Sequence, residues 1–447
     1  MNRKIYSSLG LAAVAASFSL SSCKPDLHAD AVSAGSLNLA RYVAVGNSLT
    51  AGYADGSLYR SGQINSYPNM LAQQFRLAGG GDFKIPLLPG EAGWPGLKRV
   101  LEYHTDCSGL TSPSPVLFHG TIDTAGSGTN IGAQGPFNNT GIPGIRAIDY
   151  LIPGGYGFLN PYAGRIMQNP AGSVLAEINR ADATFFTAWI GNNDVLGYAT
   201  SGGAGKSANG SFLDQNSISA VPLFSVAVDS VLNRMTANGA KGAVMNIPDV
   251  TAIPYFTTIH NDALVLRQGQ ADSLNAGYMA AGLPFRFTAG SNHFLIQDTS
   301  VAVIKTRFIR SDEFLLLTLP QDSIKCGGWG TRKPIPMNYV LDYKEVAAVR
   351  TATTTFNGIL QSAAAARGLA YVDMYSYLRT LGSGISFNGN NFSTTFVSGG
   401  AFSLDGVHLT PRGYALAANE MIRTINAYYG SNIPYVDVNS RPGVRLP

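Results

Sequence analysis

Four short apolar runs set the frame of this chain: "YVAVG" at 42–46, "ATFFTAWIG" at 183–191, "KGAVMN" at 241–246 and "LAYVDM" at 369–374. Runs this rich in β-branched, aromatic and small apolar residues, each ending in a polar turn, read as strands buried on both faces. Between them lie segments of helical character. In "YPNMLAQQFRLA" the apolar Met70, Leu71, Phe75 and Leu77 recur at helical spacing, and "ISAVPLFSVAVDSVLNRMTANG" reads as a helix closed by Gly239. "AGSVLAEINRA", "DYKEVAAVRTATTTFNGILQSAAAARG" and a last helix from about Pro411 to Tyr428 complete the set. Strands that alternate with helices predict an α/β fold, a parallel sheet with helices on both faces. Two stretches interrupt the alternation. One, at about 79–137, is rich in glycine and proline without strong periodicity; the other, at about 251–337, contains hairpin-like runs such as "HFLIQD" and "DEFLLLTL". No internal repeat is visible.

The N-terminus bears on compartment. Arg3 and Lys4 precede an apolar, small-residue stretch from Ile5 to Leu20 that ends in "LSSC" at Cys23, too short for a comfortable transmembrane span. The stretch resembles a bacterial lipoprotein signal, which implies removal of residues 1–22 and lipidation of Cys23. An ordinary cleaved signal peptide is the alternative, and either makes the chain an exported one. Residues 23–40 are polar and small and read as a lipid-anchored tether. That leaves a domain over 41–430 and a tail at 431–447. Removing 22 residues leaves 447 − 22 = 425, enough for one domain with large insertions. The charged fraction is 13% and no basic run occurs, so nucleic acid is not expected as a partner. With Cys23 lipidated, Cys107 and Cys326 remain, with no CxxC and no His/Cys cluster to suggest a metal site.

Ser48 follows the first strand in "VGNSL", at the end of a parallel strand where open α/β sheets hold their ligands. A serine hydroxyl needs a base to become a nucleophile, and the base needs an acid to orient it. Of six histidines only His408 has an acid three residues before it, Asp405 in "SLDGVHLTPRGY", just before a proline that can open the terminal helix. Acyl transfer also needs donors aimed at a developing oxyanion. "GNND" offers the Asn193 amide at the same edge of the sheet, and the turn "NTGIPG" offers the Gly144 N–H.

These blocks, "GNSL", "NTGIPG", "GNND" and "DGVH", resemble in kind and order those of the GDSL esterases and lipases of the SGNH hydrolase superfamily. "NIPDVTAIPYF" is similar to a stretch of exported bacterial lipases in that superfamily. The resemblance implies a flavodoxin-like three-layer α/β/α sandwich. It implies Ser48 as nucleophile, His408 as general base and acid, Asp405 as its orienting carboxylate, and Ser48 N–H, Gly144 N–H and the Asn193 side chain as the oxyanion hole. It also implies a serine ester hydrolase that needs no metal or organic cofactor. At Asn47 the family usually has aspartate; asparagine keeps an acceptor oxygen and loses the charge.

The expected activity is hydrolysis of carboxylic esters through an acyl-enzyme on Ser48, by an esterase or lipase held at the cell envelope through its lipid anchor. Deacetylation of O-acetylated glycans is a second reading, and a ligand-binding surface lipoprotein on a retired hydrolase scaffold is a third. Cys107 and Cys326 lie one in each interruption, flanked by turn-forming residues. An exported chain with an even pair predicts a disulfide that ties the insertions into one cap over Ser48 and His408, with two buried free thiols as the alternative.

Overall fold

The computed structural model describes residues 31–301 and 303–447. Five strands form one sheet: β1 (Tyr42–Gly46), β2 (Asn139–Gly141), β3 (Phe185–Trp189), β4 (Lys241–Met245) and β5 (Ala370–Val372), in the order β2-β1-β3-β4-β5. Every pairing is parallel, and Gly46 of β1 is level with Gly141 of β2 and with Trp189 of β3. This is the flavodoxin-like order, in which the direction of winding reverses between β1 and β3 and opens a crevice at their C-terminal ends. Val43, Ala44, Val45, Phe185, Phe186, Ala188 and Trp189 are fully buried, as strands covered on both faces are. Helix Tyr67–Leu77 packs on Pro411–Tyr429, and Val221–Thr236 packs on Tyr343–Ala365, where Phe224 stacks on Phe356 at 4.0 Å. The three-layer α/β/α sandwich is the architecture observed.

Three local features depart from the sequence reading. "NTG", read as part of a turn, is the edge strand β2, polar and short because an edge position needs only one ladder. Its Asn139 side chain donates to Thr50 O at 2.8 Å and accepts from Gly141 N–H at 3.0 Å. "AGSVLAEINRA" forms one helical turn, Val174–Glu177. Beyond it the Asn179 side chain takes over the backbone's partners, accepting from Ala183 N–H and donating to Arg234 O. The first interruption contains an antiparallel hairpin of two seven-residue strands, Arg99–Thr105 with Thr111–Leu117. A buried Arg165 gathers the loop behind it by donating to the carbonyls of Gly126, Ser127, Thr129 and Leu87.

The second interruption folds on two small cores of its own. One is built on Phe294, Ile296, Ile309, Leu315 and Leu319, the other on Leu266, Ala271, Phe285, Phe287 and Leu295. Leu295–Gln297 pairs there with Thr306–Phe308, and Phe314–Leu315 with Val340–Leu341. Cys107, at the tip of the first-insertion hairpin, is disulfide-bonded to Cys326 at the end of helix Gln321–Lys325, closing a sequence separation of 219.

The signal segment 1–22 and Cys23 lie outside the described residues. Residues 33–40, read as the end of a tether, are packed: Leu37 and Leu39 are buried in the main core, and Ser36 N–H donates to Tyr429 O. The tail is packed over part of its length too, with Ile433, Val436 and Val438 buried and the Asn419 side chain bonded to both backbone groups of Val436. Among the described residues no helix is long and apolar enough to cross a membrane.

Candidate active site

β1 ends at Gly46 and the chain turns at once into the short helix Ser48–Ala51. Asn47 makes that turn. Its carboxamide oxygen accepts from Leu49 N–H at 3.0 Å, and its Nδ2 donates to the Asn192 side chain at 3.1 Å, joining the turn after β1 to the turn after β3. The side chain is 1% exposed, so a neutral group that both donates and accepts spares the site a buried charge. Ser48 is the first residue of the helix and 8% exposed.

His408 reaches Ser48 from the other end of the chain. Its loop is fixed by Thr410, which caps helix Pro411–Tyr429 by accepting from Gly413 N–H. His408 Nε2 lies 2.8 Å from Ser48 Oγ, and His408 Nδ1 lies 2.8 Å from Asp405 Oδ2. Asp405 has its acceptor positions filled. Oδ1 takes the N–H groups of Val407 and His408 and the Ser403 hydroxyl, and Oδ2 takes the imidazole and Gly56 N–H. Burial alone would raise the Asp405 pKa; the facing His408 charge and the hydrogen bonds from the His408 ring and from the His408 and Val407 backbone outweigh it, holding the carboxyl well below the ordinary carboxylate range.

Tyr53 braces the same group. Its ring lies 4.6 Å from the imidazole, centroid to centroid, and its hydroxyl donates to Gly56 O at 2.6 Å, on the residue whose N–H holds Asp405. Burial pushes the Tyr53 phenol up to about 12, so this donor keeps its proton.

Gly144 lies three residues past the end of β2, at φ +81°, a backbone conformation that favours glycine. Asn193 starts the helix after β3, and its Nδ2 donates to Ile145 O at 2.8 Å. One amide hydrogen is thereby committed and the other is left for a ligand. Among the described residues the N–H groups of Ser48 and Gly144 donate to no acceptor. The adjacent Asp194 is fully buried, accepts from Ala147 N–H at 2.6 Å, and is pushed up to about 7 chiefly by burial.

The structure thus places Ser48, His408 and Asp405 in one chain of hydrogen bonds and sets the Gly144 loop and Asn193 beside each other. Cys107 and Cys326 are bonded to each other, and their chain neighbours Asp106 and Lys325 line a cleft of about 1120 Å3 that opens on His408. Arg99, His104 and Pro115 of the hairpin line it, with Tyr255, Phe294, Leu317 and Ile324 of the second insertion and Leu404, Val407 and His408 near the C-terminal helix. Sequence reasoning missed Gly56, Ser403, Tyr53 and Asn192. The only signal was proximity in sequence to Ser48, Asp405 or Asn193.

A serine–histidine–aspartate chain seated at the switch point of a flavodoxin-like sheet defines a class, the α/β/α hydrolases. The chain belongs to the GDSL-like lipase/acylhydrolase family, whose model matches residues 42–421. Among solved structures it is similar to the lipase/acylhydrolase from Enterococcus faecalis, at 12% identity and a TM-score of 0.33, over 89% of this chain and 100% of that one. It is also similar to an extracellular lipase from Streptomyces rimosus, at 13% identity and a TM-score of 0.33, over 86% of this chain and 99% of that one. No curated protein matches it.

Proposed function

We propose that the protein is a serine esterase or lipase that hydrolyses carboxylic esters through an acyl-enzyme on Ser48. The observation that carries this reading is the pair of 2.8 Å contacts from Ser48 Oγ to His408 Nε2 and from His408 Nδ1 to Asp405 Oδ2. His408 takes the Ser48 proton as Oγ bonds to the ester carbonyl carbon. Asp405, ionised across the neutral range, holds the ring in the tautomer with Nδ1–H and stabilises the imidazolium that forms. The carbonyl oxygen becomes an oxyanion, and its donors are Ser48 N–H, Gly144 N–H and the free amide hydrogen of Asn193. The imidazolium returns its proton to the leaving alkoxide, and the alcohol departs. Water, deprotonated by His408, then releases the acid and restores Ser48.

The long, partly apolar cleft favours acyl groups larger than acetyl, which ranks an esterase or lipase above an O-acetylesterase. The sequence reading adds export and a lipid anchor on Cys23, and that part rests on residues 1–23 alone. A fluorophosphonate probe tests the central claim. Its covalent adduct belongs on Ser48 and disappears in Ser48→Ala, and a chain that takes up no probe is a binding protein on a hydrolase scaffold. Turnover across p-nitrophenyl esters of rising acyl length reads the cleft, with acetate as a poor substrate; acetate as the best substrate returns the reading to deacetylation. Growth in labelled palmitate reads the anchor, with the label lost in Cys23→Ala.

A further inference from the structure

Arg99 opens the hairpin of the first insertion. Its backbone N–H donates to Asp55 O at 2.7 Å, which fixes its base beside Gly56. Its guanidinium lies so close over Gly56 that a Cβ there would come within 2.3 Å of an Arg99 terminal nitrogen. Gly56 also stands at φ +79°, a backbone conformation that favours a residue without a side chain. Gly56 is the residue whose N–H holds Asp405. Arg99 is exposed and lines the cleft, with its guanidinium over Gly56 beside Asp405, and its side chain makes no hydrogen bond or ion pair among the described residues.

The neighbouring charges already have partners. Asp405 is saturated by its own donors. Lys325 bonds Asp106 at 2.7 Å, and Asp322, at the disulfide end, accepts from Cys107 N–H at 3.4 Å. His104 faces the same cleft farther along the hairpin. What remains near the reacting centre is one planar cation whose forked donors match a carboxylate or a phosphate. Leu196, Ile259, Phe294, Leu317 and Ile324 supply apolar wall along the same cleft.

We propose that Arg99 forms an anion subsite, and that the preferred substrates are esters joining an apolar acyl chain to an alcohol bearing an anionic oxygen group. The inference rests on the hydrolase reading above and names the substrate class of the same site.

Matched substrates test it: a medium-chain monoacylglycerol, the corresponding acylglycerol phosphate, and an acyl ester of glycolic acid that carries a carboxylate instead. Wild type should prefer the charged esters in kcat/KM. Arg99→Gln should cut that constant by about 10- to 100-fold on them and change it less than about threefold on the neutral ester. Arg99→Lys should fall between. Whether phosphate or carboxylate suffers the larger loss identifies the group recognised. Equal losses on charged and neutral esters, or a wild type indifferent to charge, overturn the subsite. Binding of hexyl phosphate and of hexanoate to Ser48→Ala, by calorimetry, reads the subsite without turnover. Weakening of at least one by about tenfold or more on adding Arg99→Gln supports it, and two unchanged affinities overturn it. Absence of turnover with this binding intact would instead count against the hydrolase reading.

Discussion

At the C-terminal edge of the sheet, the groups that fix Ser48 and His408 are backbone amides and short buried side chains: the N–H groups of Gly56, Val407 and His408, the Ser403 hydroxyl and the Asn47 and Asn192 amides. The cap above them is held otherwise. It relies on two small apolar clusters, a disulfide, and an Arg307 that bridges Asp298 and Glu313. The first region shares its bonds with the main core, so it moves only if the domain unfolds. The second has its own cohesion and can loosen while the sheet stays intact. On the function proposed above, the chemistry rests on the rigid part and the shape that selects a substrate on the separable one.

The largest effect should come from the sheet edge. Ser48→Ala removes one hydroxyl from a turn held by its neighbours, so kcat should fall by about a millionfold with no change in the thermal midpoint. Asn193→Ala should cost about a hundred- to a thousandfold. Activity surviving in Ser48→Ala would break the comparison at its root.

The cap should respond in the opposite sense. Replacing Cys107 and Cys326 with serine opens a loop of 219 residues and should lower local stability of the insertions by about 2 to 5 kcal/mol. Hydrogen exchange should quicken across the hairpin and helix Gln321–Lys325 while the strands keep their protection. KM and acyl-length preference should shift before kcat does. Loss of protection in β1 and β3 at the same time would mean that the two regions are one unit.

Asp194 tests how deeply the edge is tied to the core. Its carboxyl is raised by burial from 3.8 to about 7, so the folded state binds its proton more tightly than the unfolded chain does. Its contribution to stability is therefore greatest below pH 4 and is lost as pH rises toward 7. Asp194→Asn keeps an acceptor for Ala147 N–H and removes the titration. Relative to wild type it should gain on the order of 2 to 4 kcal/mol between pH 4 and pH 7, at about 1.4 kcal/mol per pH unit. Urea melts at several pH values read this directly, and parallel curves would refute it.

Asn47→Asp should have the smallest effect. The aspartate keeps the cap to Leu49 N–H, and Asn192 can turn its amide to donate in place of Asn47. The variant should fold and keep activity within about tenfold, since Leu49 N–H and the turned Asn192 amide would both donate to the new carboxylate and offset much of the cost of burying it. Activity appearing from none would show the wild type to be a retired hydrolase.

The sheet was legible where its residues are buried on both faces, since "YVAV" and "FFTAW" have one reading. Edge strand β2 was not, because Asn139, Thr140 and Gly141 carry no β pattern and pair through one side. Nor was the hairpin, where Pro113 and Pro115 interrupt the alternation and Tyr103, Leu110 and Leu117 point to solvent. At the site, Ser48, Asp405 and His408 could be placed by spacing. Gly56 and Tyr53 could not, because their roles arise from contacts between residues about 350 positions apart, which no local pattern encodes.

The same separation has a consequence for how the molecule is made. Ser48 and His408 are 360 residues apart, and Gly56 and Asp405 are 349 apart. During synthesis the turn that bears the serine emerges 360 residues ahead of the imidazole. Until the imidazole follows, the hydroxyl has no base beside it, and Gly56 N–H has no carboxylate. If Ser48 is the nucleophile proposed above, a growing chain, or one clipped ahead of His408, carries an inert serine. On that reading the order of the sequence works as a built-in delay, withholding reactivity until the domain has closed around both residues.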